Sequence, residues 1–596
     1  MMLKQLNNAE QFHKGKGFLS LLVCPSLFLS GCIQSTPISS NYYGQNIVPQ
    51  KQEFRWSDGG LPKVFDPTFA ASPPDTDAVR AMYEGLTDYE PETLKPIAAV
   101  AVKWESSEDK REWIFYLRQN ARWSNGDIVT ANDFAQSWQR VIANRANAPH
   151  AKLMQNIKGA FESQPQIQEE NYNPFQTPEI YPDETPNDTS EQSTEKQKEI
   201  GVKAINDFTL RVELKRPDDD FPALVAHPVF RPVHKTAVTV NEPLSSEKVV
   251  TNGAFELVKN GSDAVVIQRA NNYWDAKSVA LQKVSFLPNH NTESVLSAYR
   301  AGEVDAITNT RFEPLGLKLL TPYKDYRKET YAALTYYRFN TTRKPFDDIR
   351  VREALAISLD RERINEDVLG NASEPAYKFL PFGKAAKKRK EENVLDIGRA
   401  KKLLADAGFP HGQNFPKIKL LVNRNDQQKQ VAQEIAEMWK AALNVETEII
   451  LKSWEDYRTA IENGDYDIVR RGVVMQTTNE ATNLLEMFEP LQPSTPEINQ
   501  ESQMPSPTPS NETKPANGGG NEQNKNYRVE IITEEQALKE IKAIPIYFSS
   551  SYTLIKPYIK GFDSNLLDAP SLKHVKIQTD WKEEKPNTGQ TSTLIN

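Results

Sequence analysis

Cysteine is almost missing from this sequence of 596 residues: only Cys24 and Cys32 carry a thiol. Two cysteines, both near the N-terminus, build neither a multi-disulfide scaffold nor a Cys-rich zinc site. Long apolar runs are equally scarce. Beyond the N-terminus none approaches the roughly 20 residues of a membrane-spanning helix, which excludes a polytopic transporter. A basic excess is absent too, since 72 Lys and Arg stand against 80 Asp and Glu for a net charge of −8. Neutralising a phosphate backbone needs the opposite balance, so nucleic acid is not an expected partner. The seven histidines, His13, His150, His227, His234, His290, His411 and His574, include no HExxH arrangement and no paired ligand spacing. There is no GxSxG elbow, no GxxxxGK[ST] phosphate loop and no GxGxxG after a strand. Asp347-Asp348 and Asp218-Asp219-Asp220 read as a helix start and a solvated turn rather than as a glycosidase dyad. No metal, cofactor or catalytic activity is therefore expected.

What the chain does have begins with Lys4, Lys14 and Lys16 ahead of an apolar stretch, Phe18 to Leu29, too short to span a membrane permanently. Leu29-Ser30-Gly31-Cys32 follows and resembles a bacterial lipobox. On that reading residues 1–31 are a signal peptide, Cys32 is the lipidated first mature residue, and 32–51 form a polar leash to a membrane. The alternative is an ordinary secretory signal with an incidental cysteine. Ile33 is not an aspartate, so the inner-membrane retention signal of some lipoproteins is absent and an outer-membrane anchor is favoured.

Length alone, at roughly 150 residues per domain, allows about four domains. The excess of 39 prolines over 26 glycines says that part of the length is not core. Two stretches carry the excess, 162–199 and 490–527, both poor in aliphatics, the second with Gly518-Gly519-Gly520. Neither can bury enough apolar surface to offset chain entropy, and both read as disordered insertions. Elsewhere the pattern is α/β. Ile418 to Val422 reads as a strand, Val431, Ile435, Met438 and Trp439 recur at helical spacing, and Val445 to Leu451 is a second strand, together a parallel β-α-β unit. Ser453 with Asp456 opens a further helix that Gly464 closes, and Tyr466 to Val469 is another strand. Leu403 and Leu404 lie in a helix ended by Gly408. Trp113 to Arg118 reads as a strand, with Thr130 and Asp133 capping a helix that carries Phe134, Trp138 and Val141. The 9 Trp, 21 Tyr and 25 Phe suit the wall of a ligand cleft.

A series of segments then becomes specific. Met82-Tyr83-Glu84-Gly85-Leu86-Thr87-Asp88-Tyr89, Ala121-Arg122-Trp123-Ser124-Asn125-Gly126-Asp127, Thr251-Asn252-Gly253-Ala254-Phe255, Tyr299-Arg300-Ala301-Gly302-Glu303-Val304-Asp305, Phe346 to Leu355 (FDDIRVREAL) and Lys556-Pro557-Tyr558-Ile559-Lys560-Gly561-Phe562 follow in order. Together they resemble the family 5 extracellular solute-binding proteins of ABC importers, most of all the oligopeptide-binding members. The resemblance implies a periplasmic binding protein-like α/β fold, a Venus flytrap of class II, cluster C, with two α/β lobes and an additional third domain. Its divisions would be lobe I from 52–90, 200–290 and 546–596, the extra domain from 91–199, and lobe II from 291–545. It also implies a monomer in the periplasm or cell envelope that closes on a peptide ligand and docks on an inner-membrane ABC permease.

Carried over by position, the resemblance gives Arg470 with backbone groups at Gly472 and Val474 along an extended ligand. Ser72, in Ala71-Ser72-Pro73, would lie on the ligand's other edge, Trp454 and His150 in pocket walls, and Tyr547 in the cleft-lining terminal strand. Two departures matter. The aspartate expected six residues after the arginine to hold a peptide ammonium group is Gln476 here, or Thr477 if alignment follows Asn479-Glu480. Pro73 lacks an amide hydrogen to donate. These departures leave two alternatives open: the same transport role with an amine-blocked or non-peptide ligand, or a surface lipoprotein acting in adhesion or as a chaperone.

Overall fold

The computed structural model describes residues 41–161, 199–237, 245–310, 312–382, 394–489, 531, 533–563 and 565–583. The signal peptide, Cys32, the insertion at 490–527 and all of 162–199 except Glu199 lie outside those residues.

The β-branched and aromatic runs of the chain meet in one mixed sheet of eleven strands. Its order is Thr447–Lys452, Ile418–Asn423, Ile468–Val474, Tyr326–Phe339, Ala543–Ile555, Ala306–Thr308, Glu53–Asp58, Lys283–Phe286, Val265–Arg269 and Phe255–Asn260, with Ser373–Pro375 also paired to Ala543–Ile555. The predicted β-α-β unit is present. Ile418 pairs in parallel with Thr447, and the connecting helix Asp426–Leu443 buries Val431, Ile435, Met438 and Trp439. Asn425 caps its start and Asn444 ends it with φ 57°, a conformation Asn tolerates better than most residues. The Trp439 indole N–H, buried in the core, donates to the Leu355 carbonyl at 3.0 Å.

Two strands tie the sheet together. Tyr326–Phe339 and Ala543–Ile555 run antiparallel, but their pairing is interrupted. Tyr326 to Thr330 faces Leu554 to Ser550, and Leu334 to Arg338 faces Phe548 to Ala543, with register shifts after Thr330 and after Thr335. On one side of this break Ala543–Ile555 continues onto Ala306–Thr308, whose neighbour is Glu53–Asp58. On the other side Tyr326–Phe339 continues onto Ile468–Val474. Each half has its own core, one around Trp56, Trp123 and Trp138 and one around Tyr337 and Trp439.

A separate four-stranded antiparallel sheet, Ala101–Ser106, Glu112–Leu117, Thr209–Glu213 and Val202–Asn206, carries the helix Ala131–Ala143. The predicted capping box is formed: Thr130 accepts from the Asp133 amide, and the Asp133 carboxylate accepts from the Thr130 amide at 2.8 Å. The chain leaves the described residues after Phe161 and returns at Glu199, beside a bond from the Gly201 amide to the Lys158 carbonyl at 2.8 Å.

Two expectations need correction. The strand read as Tyr466 to Val469 runs from Ile468 to Val474, because pairing with Tyr326–Phe339 carries it through Arg470-Arg471-Gly472. Of the residues read as a leash, 32–51, those that are described do not hang free. The Tyr43 amide donates to Asp325 at 2.8 Å, its ring meets Tyr323 at 5.3 Å, and the Gln45 amide donates to the Arg300 carbonyl, so the chain is docked from Tyr42 onward. Among the described residues no helix is long and apolar enough to cross a membrane.

Candidate functional site

A cleft of about 1090 Å³ opens between the segment Pro149–Gln155 and the end of the strand Ile468–Val474. His150 and Lys152 stand on one wall; Gly472, Val474, Gln476 and the helix Glu480–Phe488 stand on the other, with Arg338 between. Arg338 is fixed by donating to the Met487, Phe488 and Glu489 carbonyls at the helix end. The chain leaves the described residues after Glu489 and returns at Ile531, and both residues line the cleft.

The strand Ile468–Val474 presents an open edge to this space. One side is paired throughout, from Ile468 opposite Phe339 to Val474 opposite Ala333. The other side pairs with Ile418–Asn423 only at Ile468 and Val469. Backbone groups alternate sides with a period of two, so Arg470, Gly472 and Val474 point away from Tyr326–Phe339. The Tyr457 hydroxyl takes the Arg470 carbonyl, and the Gln476 amide reaches the Val474 carbonyl at 3.2 Å. The amide and carbonyl of Gly472 and the amide of Val474 are left on the edge. A Cβ at Gly472 would stand 3.3 Å from the Arg470 guanidinium, which donates to Thr335 Oγ1 at 3.1 Å, so a larger residue there would make that guanidinium shift by a few tenths of an ångström.

Of the residues singled out from sequence, His150, Gly472, Val474 and Gln476 are brought together on the cleft wall. Ser72 is exposed beside Ala71, whose carbonyl meets His150 Nε2 at 2.8 Å. Arg470 sits just behind Gly472. Trp454 is 63% exposed and stacks on Tyr457 at 5.6 Å, which joins it to the site only through the Tyr457 bond to Arg470. Tyr547 is not on the wall: it is 5% exposed in the core, where its hydroxyl accepts from Gln428 at 2.8 Å. Thr477 is buried, so of the two candidates for the missing aspartate only Gln476 faces the cleft.

Sequence reasoning missed His227. It is 4% exposed, and its ring meets His150 edge to face at 4.9 Å. No local pattern pairs these two histidines, because the fold alone brings them together. Burial, followed by the charges of His150 and Arg80, holds His227 well below the ordinary histidine range, and burial lowers His150 as well. Both rings are neutral at physiological pH.

Two polar ties bridge the walls. Lys152 pairs with Glu489 at 3.0 Å, and Asn479 Nδ2 donates to both Asp218 oxygens at 2.9 and 3.1 Å. Burial raises Asp218 to about 6 against the opposing bond from Asn479. Its folded value lies above the unfolded value of about 3.9, so protonation favours the folded chain. This group's contribution to stability is full below about pH 4 and is lost as pH rises through 6. Asp218→Asn is expected to flatten that part of a thermal-melting profile recorded from pH 4 to 7.

Two sheet halves joined by a pair of crossing strands, with a cleft containing an open strand edge, make up a binding protein of the Venus flytrap class. The family of bacterial extracellular solute-binding proteins, family 5 (Middle), matches residues 95–493, and the chain belongs to this family. It is 30% identical over 539 residues to the periplasmic oligopeptide-binding protein OppA of Salmonella typhimurium, covering 86% of this chain and 90% of that one. To the periplasmic murein peptide-binding protein MppA of Escherichia coli it is 29% identical, covering 87% and 92%. Among solved structures, the unliganded open form of MppA matches with a TM-score of 0.67 at 25% identity over 89% of this chain and 98% of that one. Haemophilus influenzae OppA in complex with RPPGFSPFR matches with a TM-score of 0.57 at 25% identity over 89% and 99%.

Proposed function

We propose that the protein is the substrate-binding component of an ABC importer, capturing extended peptides by lobe closure and delivering them to a permease. The observation that carries this reading is the open edge of Ile468–Val474, where a peptide backbone can add as a further strand while its side chains enter the wide cleft. The relatives named for peptide binding support the ligand class. The lobes would be the two sheet halves, hinged where the crossing strands lose register; the boundaries stated from the sequence shift, since Val202–Asn206 and Thr209–Glu213 pair within the sheet of the extra domain and Ala306–Thr308 pairs with Glu53–Asp58 of lobe I. The better agreement with an open form than with a peptide complex supports a structure with its lobes apart. The protein would act by binding alone, as a monomer in the periplasm, tethered through a lipid on Cys32.

Val474→Pro tests strand addition. Proline removes one outward amide and leaves the inward ladder intact. One net hydrogen bond of about 0.5–1.5 kcal/mol predicts an affinity loss of about two- to tenfold in calorimetry with a bound peptide, at nearly unchanged melting temperature. Unchanged affinity would remove strand addition. A second reading, with a non-peptide ligand, draws support from the relative YgiS of Escherichia coli, described as a probable deoxycholate-binding periplasmic protein, 27% identical over 90% of this chain. Native mass spectrometry of ligand retained through purification separates the two.

A further inference from the structure

The helix Pro314–Leu320 buries one pair of leucines and exposes another. Leu317 and Leu320 are buried, and Leu320 joins the core around Tyr299 and Leu554. Leu315 and Leu319, one turn apart, are 70% and 67% exposed, the most open large apolar side chains among the described residues. A Cβ at Gly316 would meet nothing within 4 Å, and Lys318 is exposed beside Leu319. The N-terminal chain docks against the end of this helix. The Tyr323 amide donates to the Leu320 carbonyl at 3.0 Å, the Tyr323 ring meets Tyr43 at 5.3 Å, and Tyr43 packs on the same core as Leu320. Cys32 precedes Tyr42 by ten residues, which reach at most about 36 Å at roughly 3.6 Å each. A lipid on Cys32 therefore keeps this helix close to the bilayer that holds it.

Two leucines on two turns of helix offer far less than the roughly 1,200 Å² that a specific protein interface buries. A bilayer sets no such minimum once a tether supplies the local concentration. Leucine side chains suit the boundary between head groups and acyl chains, and Lys318 can lay its stem along them with its ammonium group among phosphates. Nearby, the exposed Arg300 and Lys324 offset Glu303 and Glu313, so the contact rests on the leucines rather than on attraction to anionic lipid. We propose that the helix Pro314–Leu320 lies on the membrane that holds the Cys32 lipid, with Leu315 and Leu319 inserted at the head-group boundary. The proposal rests on the lipid-anchor reading and adds to it a second contact made by the protein itself.

The chain from Cys32 onward has Cys32 as its only thiol, so it can be coupled there to a maleimide lipid in vesicles of phosphatidylethanolamine and phosphatidylglycerol. Amide hydrogen exchange of residues 312–320 is then compared between the tethered chain and the same chain free in solution. Exchange is expected to slow by about fivefold or more on tethering, and to return to the free rate in the tethered double variant Leu315→Gln, Leu319→Gln. The variant replaces exposed side chains only, and an unchanged melting temperature checks that it is folded. Equal exchange in the tethered and free chains overturns the proposal, as does slowing that survives in the double variant. Slowing that grows with the density of protein on the vesicle assigns the face to a second copy of the chain and overturns it too. Mass spectrometry of Cys32 in the native protein reads the anchor separately. An unmodified Cys32 overturns the lipid-anchor reading and the proposal with it, whereas a lipidated Cys32 with no slowing overturns the proposal alone.

Discussion

Arg140→Ala is expected to lower stability by about 3–5 kcal/mol, the range for breaking one partner out of a buried ion pair. Arg140 and Asp66 have side chains 1% and 0% exposed and are joined by parallel bonds of 2.9 and 2.8 Å. Arg140 also donates to Thr68 at 2.6 Å and lies over the Phe69 ring at 5.2 Å. Truncation leaves the Asp66 carboxylate in the core without its counter-charge. The pair joins the helix Ala131–Ala143 to the turn before Ala71, the residue that holds His150, so ligand affinity is expected to fall with stability. Urea unfolding of the variant beside the unmodified chain reads the first effect. A loss under about 1 kcal/mol would mean that water or a neighbouring group reaches the stranded carboxylate.

The second large effect has the opposite sign. Asp77→Asn is expected to stabilise the protein at pH 8 by about 1–3 kcal/mol, the penalty of a buried polar group without partners. Asp58 and Asp77 are buried side by side. Thr308 and Asn309 satisfy one oxygen of Asp58 at 2.7 and 2.6 Å; its other oxygen and both of Asp77 accept no bond from an N–H or hydroxyl among the described residues, and the two carboxyls can bond each other only with a proton between them. Arg80 is 3.8 Å from Asp77. Burial, and for Asp77 the neighbouring Asp58 charge, raise both above the usual carboxylate range, and burial pushes Asp568 up to about 6 against its bond from Ser551. All three bind protons more readily folded than unfolded. Their stabilising protonation is complete below about pH 4 and is lost as pH rises through the folded values. Unfolding measured at pH 5 and pH 8 should show a smaller difference in Asp77→Asn than in the unmodified chain. Destabilisation at pH 8 would mean that the attraction of Arg80 outweighs the burial of Asp77.

The local parts of this fold were legible in the sequence because their causes are local. The stripe Val431, Ile435, Met438 and Trp439, the capping pair Thr130 and Asp133, and the run Ile418 to Val422 each lie within one element. The crossing strands were not legible, since their partners lie in distant parts of the chain and their irregular register has no sequence period. The apolar run ends the strand at Val469, and only pairing with Tyr326–Phe339 carries it on through Arg470-Arg471-Gly472. Gly472, Val474, Gln476 and His150 were located by resemblance alone. That same resemblance put Tyr547 in the cleft, where the bond to Gln428 holds it in the core instead. His227 gave no signal because its role depends on meeting His150 in three dimensions.

The unpaired edge at Gly472 and Val474 has a second meaning. Free strand edges recruit other chains, and Val474 is 44% exposed, an apolar side chain on such an edge. Here the edge is short, carries Arg470 and Arg471, and is recessed opposite Pro149–Gln155, so a flat strand from a neighbouring molecule meets charge and a wall. The geometry that admits one extended chain therefore also limits self-association, and substitutions that widen the cleft or neutralise either arginine should surface first as aggregation.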